Sequence, residues 1–372
     1  MLLLRNLHIF SPENIGVNHV FICNEQICEI SKSIIPGGIE YDTINFDPGK
    51  HFAVPGFIDG HVHLIGGGGE GGYITRTREG TPEEFLNCGT TAVLGLLGTD
   101  AITRDHISLL AKVRAFREEG ISAWMLTGSY KYPIKTITGD HMKDLVLIPE
   151  VLGVGELAIA DHRGSAVTAS ELKRLSLNIR VAGMISGKKG AIVCHMGNAP
   201  EGMAALFEAT DDGTLPPTHL IPTHVSRNEK LLEEGIRWIK EKQGFIDLTA
   251  NEKTAKVLSE LKKELGNLDN VCVSTDGLGS LPVFDESGTL IELKSSPVDG
   301  LLKTFRELLR QGLNVEEALK PVCTTPAKAL GIDRWGYGTL SKKSPASLLV
   351  FNAETLEIEV VVSSGKVKVN HL

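Results

Sequence analysis

The sequence predicts an α/β protein: a (β/α)₈ TIM barrel with a small β-sandwich domain built from both chain ends. From Val54 onward, short apolar runs alternate with longer helical patterns, which is typical of repeated βα units around a parallel sheet. Eight runs follow one another in the order GFIDGHVHL, TAVLGLLG, SAWMLTGSY, VLGVGELAIA, AIVCHMG, LIPTHVS, FIDLTAN and VCVSTDG. A set of eight predicts a closed barrel.

The chain ends have a different pattern. LLLRNLHIF, HVFIC and ICEI near the start are strand-like and bounded by turn residues, and strand alternation returns after the last helical pattern. We therefore expect residues 1–53 and 337–372 to pair into the small β domain, with residues 54–336 forming the barrel.

One helix can be predicted together with its ends. SRNEKLLEEGIRWIKEKQG has an amphipathic pattern. Ser226 is placed as the N-cap, Glu229 follows three residues later, and Gly244 is placed at the helix end.

Composition excludes several classes of protein. The 372 residues carry a formal net charge of −8, which argues against a nucleic-acid-binding surface. The six cysteines are scattered without a CxxC pair, as in proteins of a reducing compartment. No stretch approaches the roughly 20 apolar residues of a membrane helix, and the apolar start is too short for a signal peptide. We expect a cytoplasmic protein that binds neither nucleic acid nor membrane.

Histidines and an aspartate close several of the predicted strands. His61 and His63 end the first run, His195 the fifth, His224 the sixth and Asp276 the eighth. Barrel active sites lie at the carboxyl ends of the strands, and a His-x-His pair on a strand points both rings to one side. Imidazole and carboxylate are ligands that zinc and similar ions prefer. A lone histidine there would more often simply pack, but five such residues at one face predict a metal site.

A glycine-rich loop follows the first run. Residues 66–72 contain a formal G-x-G-x-x-G match, but no helix pattern opens from it and no Gly-Lys-Ser/Thr follows, so a phosphate loop is poorly supported. The preferred interpretation is a loop whose backbone approaches a ligand closely. The alternative is a loop without any ligand.

At these residues the sequence resembles the amidohydrolase superfamily and, within it, the bacterial isoaspartyl dipeptidases. The similarity covers nearly the whole chain and rests on PGFIDGHVHLIGGGGE, GLLGTD, GISAWMLTGSY, TITG, ADHR, CHMG, PTHVSRN and STDGLGS. It implies a TIM barrel of the metal-dependent hydrolase type and a homo-oligomer. It also implies that two divalent metal ions per chain, expected to be zinc, hold a bridging hydroxide that attacks the side-chain amide of a β-aspartyl dipeptide.

The resemblance also implies roles for individual residues. His61 and His63 would bind the first metal, and His195 and His224 the second. Asp276 would lie beside the bridging water as a ligand, and would take its proton and pass it to the departing amine.

The substrate-binding positions carry over in the same way. Glu70 matches the residue that holds the α-ammonium, and Tyr130 matches a phenol that polarises the scissile carbonyl. The remaining matches are Arg163, Arg227, Thr99, Ser280 and the backbone of Gly68. The alternatives are that the arginines are ordinary salt-bridge partners at the rim, that Tyr130 only packs, and that Glu70 is a solvated loop charge.

The fourth strand departs from the family pattern. The family bridges its metals with a carboxylated lysine, but counting back from Asp161-His162-Arg163 places Glu156 at that position, and no lysine lies between Lys143 and Lys173. A glutamate supplies the same charge and two oxygens on a shorter side chain, and Gly153 and Gly155 beside it could permit close approach. We expect Glu156 to bridge the metals. The alternative is a structural salt bridge and a single metal.

Two other functions remain open from sequence. One is another amidohydrolase reaction, on a cyclic amide or an N-acyl amino acid, which would use the same metal centre. The other is a non-catalytic homologue, against which the presence of Asp276, Tyr130 and Glu70 argues.

Overall fold

The computed structural model describes residues 1–33, 37–38, 40–284 and 290–372. Residues 34–36 and 39 of the predicted small domain, and 285–289 of the predicted barrel, lie outside the described residues. In the part of the chain that is described, no helix combines the length and apolar character needed to cross a bilayer.

Strands occur in both chain ends and in the central region. In chain order they are β1 Leu2–Phe10, β2 Asn14–Cys23, β3 Gln26–Ser31, β4 Asp42–Asn45, β5 His51–Pro55, β6 Phe57–Val62, β7 Thr90–Gly95, β8 Ser122–Thr127, β9 Val151–Ile159, β10 Ala191–Met196, β11 Leu220–Thr223, β12 Ile246–Thr249, β13 Val271–Ser274, β14 Ser280–Phe284, β15 Leu290–Ser295, β16 Leu348–Asn352, β17 Ile358–Ser363 and β18 Lys366–Asn370.

Helices separate the strands of the central region. They are α1 Pro82–Asn87, α2 His106–Glu118, α3 His141–Leu147, α4 Ala169–Ser186, α5 Ala204–Thr210, α6 Glu229–Lys242, α7 Thr254–Leu265, α8 Gly300–Arg310, α9 Val315–Leu319 and α10 Thr325–Leu330.

Strands from both chain ends form one sheet. Its order is β18-β17-β16-β5-β1-β2-β3, with β4 paired to β1. The two ends meet where β16 runs antiparallel to β5, with Val350 opposite Ala53. Both residues are fully buried, so this seam belongs to the apolar interior of the sheet.

The central region is an α/β fold, as expected. A parallel sheet has the order β11-β10-β9-β8-β7-β6, and β12 pairs in parallel with β13. Each of the eight apolar runs corresponds to one of these strands. Strands β7, β9 and β10 are buried along their whole length, because helices cover one face of a parallel sheet and the interior of the fold covers the other.

The predicted ends of α6 are wrong. Its N-cap is Asn228, whose side-chain oxygen accepts the N–H of Leu231 at 2.9 Å, while Ser226 lies in a preceding 3₁₀ turn. At the other end Gln243 adopts the left-handed conformation. Gly244 is required for a different reason, since a Cβ there would lie 2.0 Å from the indole nitrogen of Trp238.

Candidate metal centre and substrate pocket

The residues predicted to bind metal come from the carboxyl ends of different strands. His61 lies on β6, Glu156 on β9 and His195 on β10, while His224 directly follows β11 and Asp276 follows β13. Because these strands run in the same direction, their ends meet at one face of the fold.

The carboxylate of Glu156 lies at the centre of the four histidines. Its Oε2 is 3.4 Å from Nε2 of His61, 2.9 Å from Nδ1 of His195 and 3.5 Å from Nε2 of His224. Its Oε1 is 3.5 Å from Nε2 of His63. The two oxygens therefore face histidines on both sides, and the carboxylate is 1% exposed.

Two groups of three potential ligands share this carboxylate. His61, His63 and Glu156 form one, and Glu156, His195 and His224 form the other, each with its ligand atoms within 4.8 Å of one another. The Oδ1 of Asp276 lies beside the first group, 3.5 Å from Nε2 of His61 and 3.1 Å from Nε2 of His63. Geometry thus places all six predicted ligands together.

Glycines allow Glu156 to reach this position. A Cβ at Gly155, where φ is +150°, would lie 2.8 Å from the backbone oxygen of Val193, and one at Gly153 would lie 2.0 Å from that of Ala191. Neighbouring β10 therefore leaves no room for a side chain at these two positions just before the glutamate, and only glycine permits the close approach.

Two of the site residues have left-handed backbones. His224 has φ of 60° and Asp276 has φ of 51°, a conformation that few residues other than glycine adopt. Such conformations persist where the surroundings hold them and are frequent at functional sites. His224 is held by its Nδ1, which lies 2.6 Å from the hydroxyl of Thr249.

Buried aspartates connect the strands beneath the site. Asp59 on β6 accepts the N–H of Thr275 at 3.1 Å and also its hydroxyl, and burial raises the pKa of Asp59 to about 7. Asp247 on β12 accepts the hydroxyls of Thr223 and Ser274 at 2.6 Å each. These bonds fix the strand ends on which the histidines lie.

Charge and burial act together on the pKa values. Burial raises the pKa of the Glu156 carboxyl, but the charges of His61 and His195 outweigh burial and hold that pKa well below its usual value. Burial lowers the pKa of His61, but the negative charge of Glu156 outweighs burial, and the pKa of His61 is raised to about 9. Burial lowers the pKa of His224 to about 4, and burial and the Glu156 charge raise the pKa of Tyr130 well above 10. Glu156 is therefore charged and Tyr130 protonated near neutral pH.

Several buried polar atoms of this site lack a hydrogen-bond partner among the described residues. They are Nδ1 and Nε2 of His61, Nδ1 of His63 and Oδ1 of Asp276. Buried polar groups are otherwise almost always paired. Nε2 of His61 and Oδ1 of Asp276 lie at the cluster, so each can offer a lone pair to a cation there. Imidazole nitrogens and carboxylate oxygens are the donor set of zinc and similar ions. The residues present therefore fit divalent metal ions.

A cavity of about 530 Å³ opens beside the cluster. Its lining includes every substrate-binding residue expected from the sequence, namely Gly68, Glu70, Thr99, Tyr130, Arg163, Arg227 and Ser280. The hydroxyl of Ser280 donates to Oε1 of Glu70 at 2.9 Å. Nη1 of Arg227 lies 3.4 Å from Nε2 of His195, so the pocket brings charges of both signs next to the histidine cluster.

Tyr130 and Arg163 are not free rim residues. The Tyr130 hydroxyl lies 2.9 Å from Nδ1 of His195, and the residue is 5% exposed. Arg163 lines the pocket but is also paired with Asp161, with Nη2 to Oδ2 at 2.7 Å. Arg163 therefore does form a salt bridge, as the alternative interpretation expected, and it also lines the pocket.

Sequence reasoning missed several residues of this site. Asn198, Ser226, Thr249 and Asn251 line the same cavity, and Asp161 contacts Arg163 and His195. Each of them lies at or just beyond the carboxyl end of a predicted strand, as the metal-binding candidates do. That position in the sequence could have indicated a role in the site.

Comparison with known proteins places the chain in a family. Residues 52–368 match the amidohydrolase family. Two structures of the β-aspartyl dipeptidase of the thermophilic, keratin-degrading Fervidobacterium islandicum AW-1 are 39% and 37% identical, with TM-scores of 0.92 and 0.89. Both comparisons cover 100% of this chain and 97% of the other, and the first structure holds the β-Asp-Leu dipeptide.

More distant matches share the fold. The D-hydantoinase of a Thermus species is 16% identical with a TM-score of 0.66, covering 100% of this chain and 96% of the other. The resemblance to isoaspartyl dipeptidases that the motifs predict is confirmed by the two closer structures. The chain belongs to the amidohydrolase family.

Proposed function

We propose that the protein is a metal-dependent β-aspartyl dipeptidase. It hydrolyses the amide between the side-chain carboxyl of an aspartyl residue and the amine of the next residue. The observation that carries this proposal is the position of Glu156, whose two oxygens lie within 3.5 Å of a nitrogen on each of four histidines beside a charged pocket.

The residues that would hold two metal ions follow from this cluster. His61, His63 and Asp276 would hold the first, His195 and His224 the second, and Glu156 would contribute one oxygen to each. Zinc is the expected ion. When bound, such ions supply Lewis acidity toward a carbonyl oxygen and lower the pKa of a coordinated water.

The pocket charges match the charges of the substrate. A β-aspartyl dipeptide carries one α-ammonium and two carboxylates, and the pocket offers Glu70 as the anion and Arg163 and Arg227 as the cations. Arginine binds carboxylates through two parallel N–H donors, which fixes both distance and orientation. Thr99, Ser280 and the backbone of Gly68 complete the polar lining.

Proton transfer is assigned to Asp276. It lies next to the histidine cluster and is ionised in its ground state, because the neighbouring histidines hold its pKa below the usual value despite burial. Asp276 takes a proton from the attacking water as the C–O bond forms, and passes it to the amide nitrogen as the C–N bond breaks. The amine then leaves neutral, which avoids an amide anion.

Tyr130 is assigned to the carbonyl oxygen. Its hydroxyl stays protonated, and it reaches the cluster at His195. A donor at this point stabilises the negative charge that develops on the oxygen in the tetrahedral state, more than it stabilises the planar substrate.

Spacing provides the selectivity. In a β-aspartyl substrate the scissile carbonyl is one methylene further from the α-carbon than in an ordinary peptide. Glu70 on one side and the histidine cluster on the other thus select for that spacing, and α-aspartyl peptides would be misplaced relative to Asp276 and Tyr130.

We also propose that the eight parallel strands form a closed barrel, residues 54–336, and that residues 1–53 and 337–372 form a separate β-sandwich domain. Closure is supported by the N–H of His63, which donates to Gly277 O at 2.9 Å and so connects β6 to the end of β13. The bonds Thr223–Asp247 and His224–Thr249 connect the ends of β11 and β12.

Metal analysis combined with a substrate panel tests the proposed function. Wild type is expected to bind two ions per chain and to hydrolyse β-aspartyl-leucine in preference to α-aspartyl-leucine, a hydantoin and N-acetylaspartate. Glu156→Ala is expected to lose metal and turnover together. Glu150→Gln is the matched control, because Glu150 is also a shielded carboxylate but pairs with Arg114 at the opposite end of β9.

Two results would contradict the proposal. Preferred turnover of the hydantoin or of N-acetylaspartate would assign another amidohydrolase reaction. A purified protein without metal and without turnover would be a non-catalytic homologue.

A further inference from the structure

Asp161 binds Arg163 through three hydrogen bonds. Its Oδ1 accepts the backbone N–H of Arg163 at 2.8 Å and the side-chain Nε at 3.0 Å, and its Oδ2 accepts Nη2 at 2.7 Å. The Asp161 side chain is 3% exposed. Such a bidentate pair fixes the plane of the guanidinium as well as its position.

The same carboxylate also contacts a predicted metal ligand. Its Oδ2 lies 3.2 Å from Nε2 of His195, while Nδ1 of that ring faces Glu156 at 2.9 Å. A carboxylate on one ring nitrogen keeps the proton there and leaves the lone pair on the other nitrogen. Carboxylates thus face both nitrogens of His195. With a cation in the cluster, Nδ1 would give its lone pair to the cation, and Asp161 would keep the ring proton on Nε2.

The remaining sides of Arg163 are also defined. Its guanidinium carbon lies 5.2 Å from the centre of the Tyr130 ring, and its Nη1 lies 3.7 Å from Oε1 of Glu70. With Nε and Nη2 held by Asp161, Nη1 is the end that faces the charged part of the pocket. Asp161 therefore decides which donors of Arg163 are left for a ligand.

A glycine directly after the next strand, β10, leaves the space for this arrangement. A Cβ at Gly197 would lie 2.5 Å from Cβ of Asp161 and 2.2 Å from the backbone oxygen of Ala160. This accounts for the glycine of the CHMG motif and for the aspartate of the ADHR motif, neither of which has a place among the metal- and substrate-binding residues.

We propose that Asp161 is a positioning residue that acts through two others at once: it orients His195 toward the metal and Arg163 toward a substrate carboxylate. The second part rests on the proposed function, whereas the first does not. One buried carboxylate thereby couples metal binding to recognition of the substrate's charge.

Asp161→Asn tests both parts of the proposal. It keeps the size of the side chain and one acceptor oxygen, but it places an N–H donor against Nη2 of Arg163 or Nε2 of His195. Removing a carboxylate partner of a metal-binding histidine typically costs about 10–100-fold in metal affinity. We expect a loss of that size for the more weakly held ion, measured by competition with a chromophoric zinc chelator in the absence of substrate.

Substrate recognition is measured with two analogues of β-aspartyl-leucine. One carries an amide in place of the aspartyl α-carboxylate and the other carries leucinamide. Wild type is expected to discriminate against at least one analogue through KM. Asp161→Asn is expected to reduce that discrimination about tenfold, because the guanidinium of Arg163 is no longer held in one orientation.

Companion variants separate the two parts. Arg163→Met is expected to lose the discrimination but keep the metal affinity. Asp161→Glu keeps the charge and is expected to fall between wild type and Asp161→Asn, which also provides a second test if the asparagine variant does not fold. Glu150→Gln, a carboxylate–arginine pair at the other end of β9, is the control and is expected to match wild type in both measurements.

The outcomes are distinguishable. An Asp161→Asn protein with wild-type zinc affinity and wild-type discrimination would overturn the inference and leave Asp161 a structural salt bridge. If wild type hydrolyses no β-aspartyl dipeptide, the proposed function is wrong, and the zinc competition alone decides the role of Asp161 toward His195.

Discussion

The hydroxyl oxygen of Tyr130 lies 2.9 Å from Nδ1 of His195. A tyrosine from the end of one strand and a histidine from another thus meet at the edge of the histidine cluster, where a substrate carbonyl would lie in the proposed reaction. This contact leads to the first prediction.

Tyr130→Phe is expected to lower kcat on the order of 100-fold, as the loss of one donor to a developing oxyanion does, with a smaller change in KM and unchanged metal content. Steady-state kinetics and metal analysis check this. Tyr337→Phe is the control, because its hydroxyl contacts Ser122 at 2.8 Å outside the pocket. Equal kcat in the two variants would remove Tyr130 from the chemistry.

Arg227→Met is expected to weaken turnover of β-aspartyl-leucine strongly, by about tenfold or more in kcat/KM, because a charged hydrogen bond to a carboxylate is lost. Metal content is expected to stay at the wild-type value. Arg237→Met serves as the control, since Arg237 pairs with Glu241 on the exposed side of α6. If metal is lost in parallel with activity, Arg227 is structural and its substrate role is wrong.

Glu156→Lys introduces a lysine at the position where the sequence resemblance implies a carboxylated lysine between the two metals. We expect this variant to lose metal, and we expect bicarbonate, which would supply the carboxyl group, not to restore it. The reason is space, since nitrogens of four histidines already lie within 3.5 Å of the Glu156 carboxylate, and a carboxylated lysine is longer than glutamate. Recovery of two ions per chain in bicarbonate would show that the backbone tolerates either bridge.

Much of this site could be predicted because its residues share one simple property. His61, His195 and Asp276 all close apolar runs, and strand order alone then brings them to one face. Glu156 could be found by counting back from the ADHR motif. Gly153 and Gly155 indicated that the backbone before Glu156 lies close to another chain segment, which is β10.

Other parts depend on contacts that a linear pattern does not contain. Ser226 and Asn228 are both good N-cap residues, and the choice between them follows from the left-handed backbone of His224, which begins a 3₁₀ turn and delays α6 by two residues. Asp161 has the same sequence spacing from Arg163 whether or not the two side chains pair. Its second contact, with His195, depends on the packing of β9 against β10.

A buried arginine holds the glycine-rich loop that begins at Gly66. Arg104 is 6% exposed and donates to the backbone oxygens of Ile65 at 3.1 Å, Gly67 at 2.8 Å and Gly68 at 3.3 Å. Since C=O and N–H point in opposite directions across a trans peptide, a bond to the Gly67 oxygen turns the N–H of Gly68 away from Arg104. Gly68 itself lines the pocket.

Arg104→Met keeps the apolar stem of the side chain but removes its donors, so the loop loses its fixed orientation. We expect KM for β-aspartyl-leucine to rise about tenfold, from hydrogen bonds worth roughly 1.5–3 kcal/mol each, with metal content unchanged because no predicted ligand contacts Arg104. Arg114→Met is the matched control, since Arg114 is half-exposed and pairs with Glu150 away from the pocket. An unchanged KM in Arg104→Met would mean that the loop binds no substrate, which returns residues 66–72 to the alternative of a loop without a ligand.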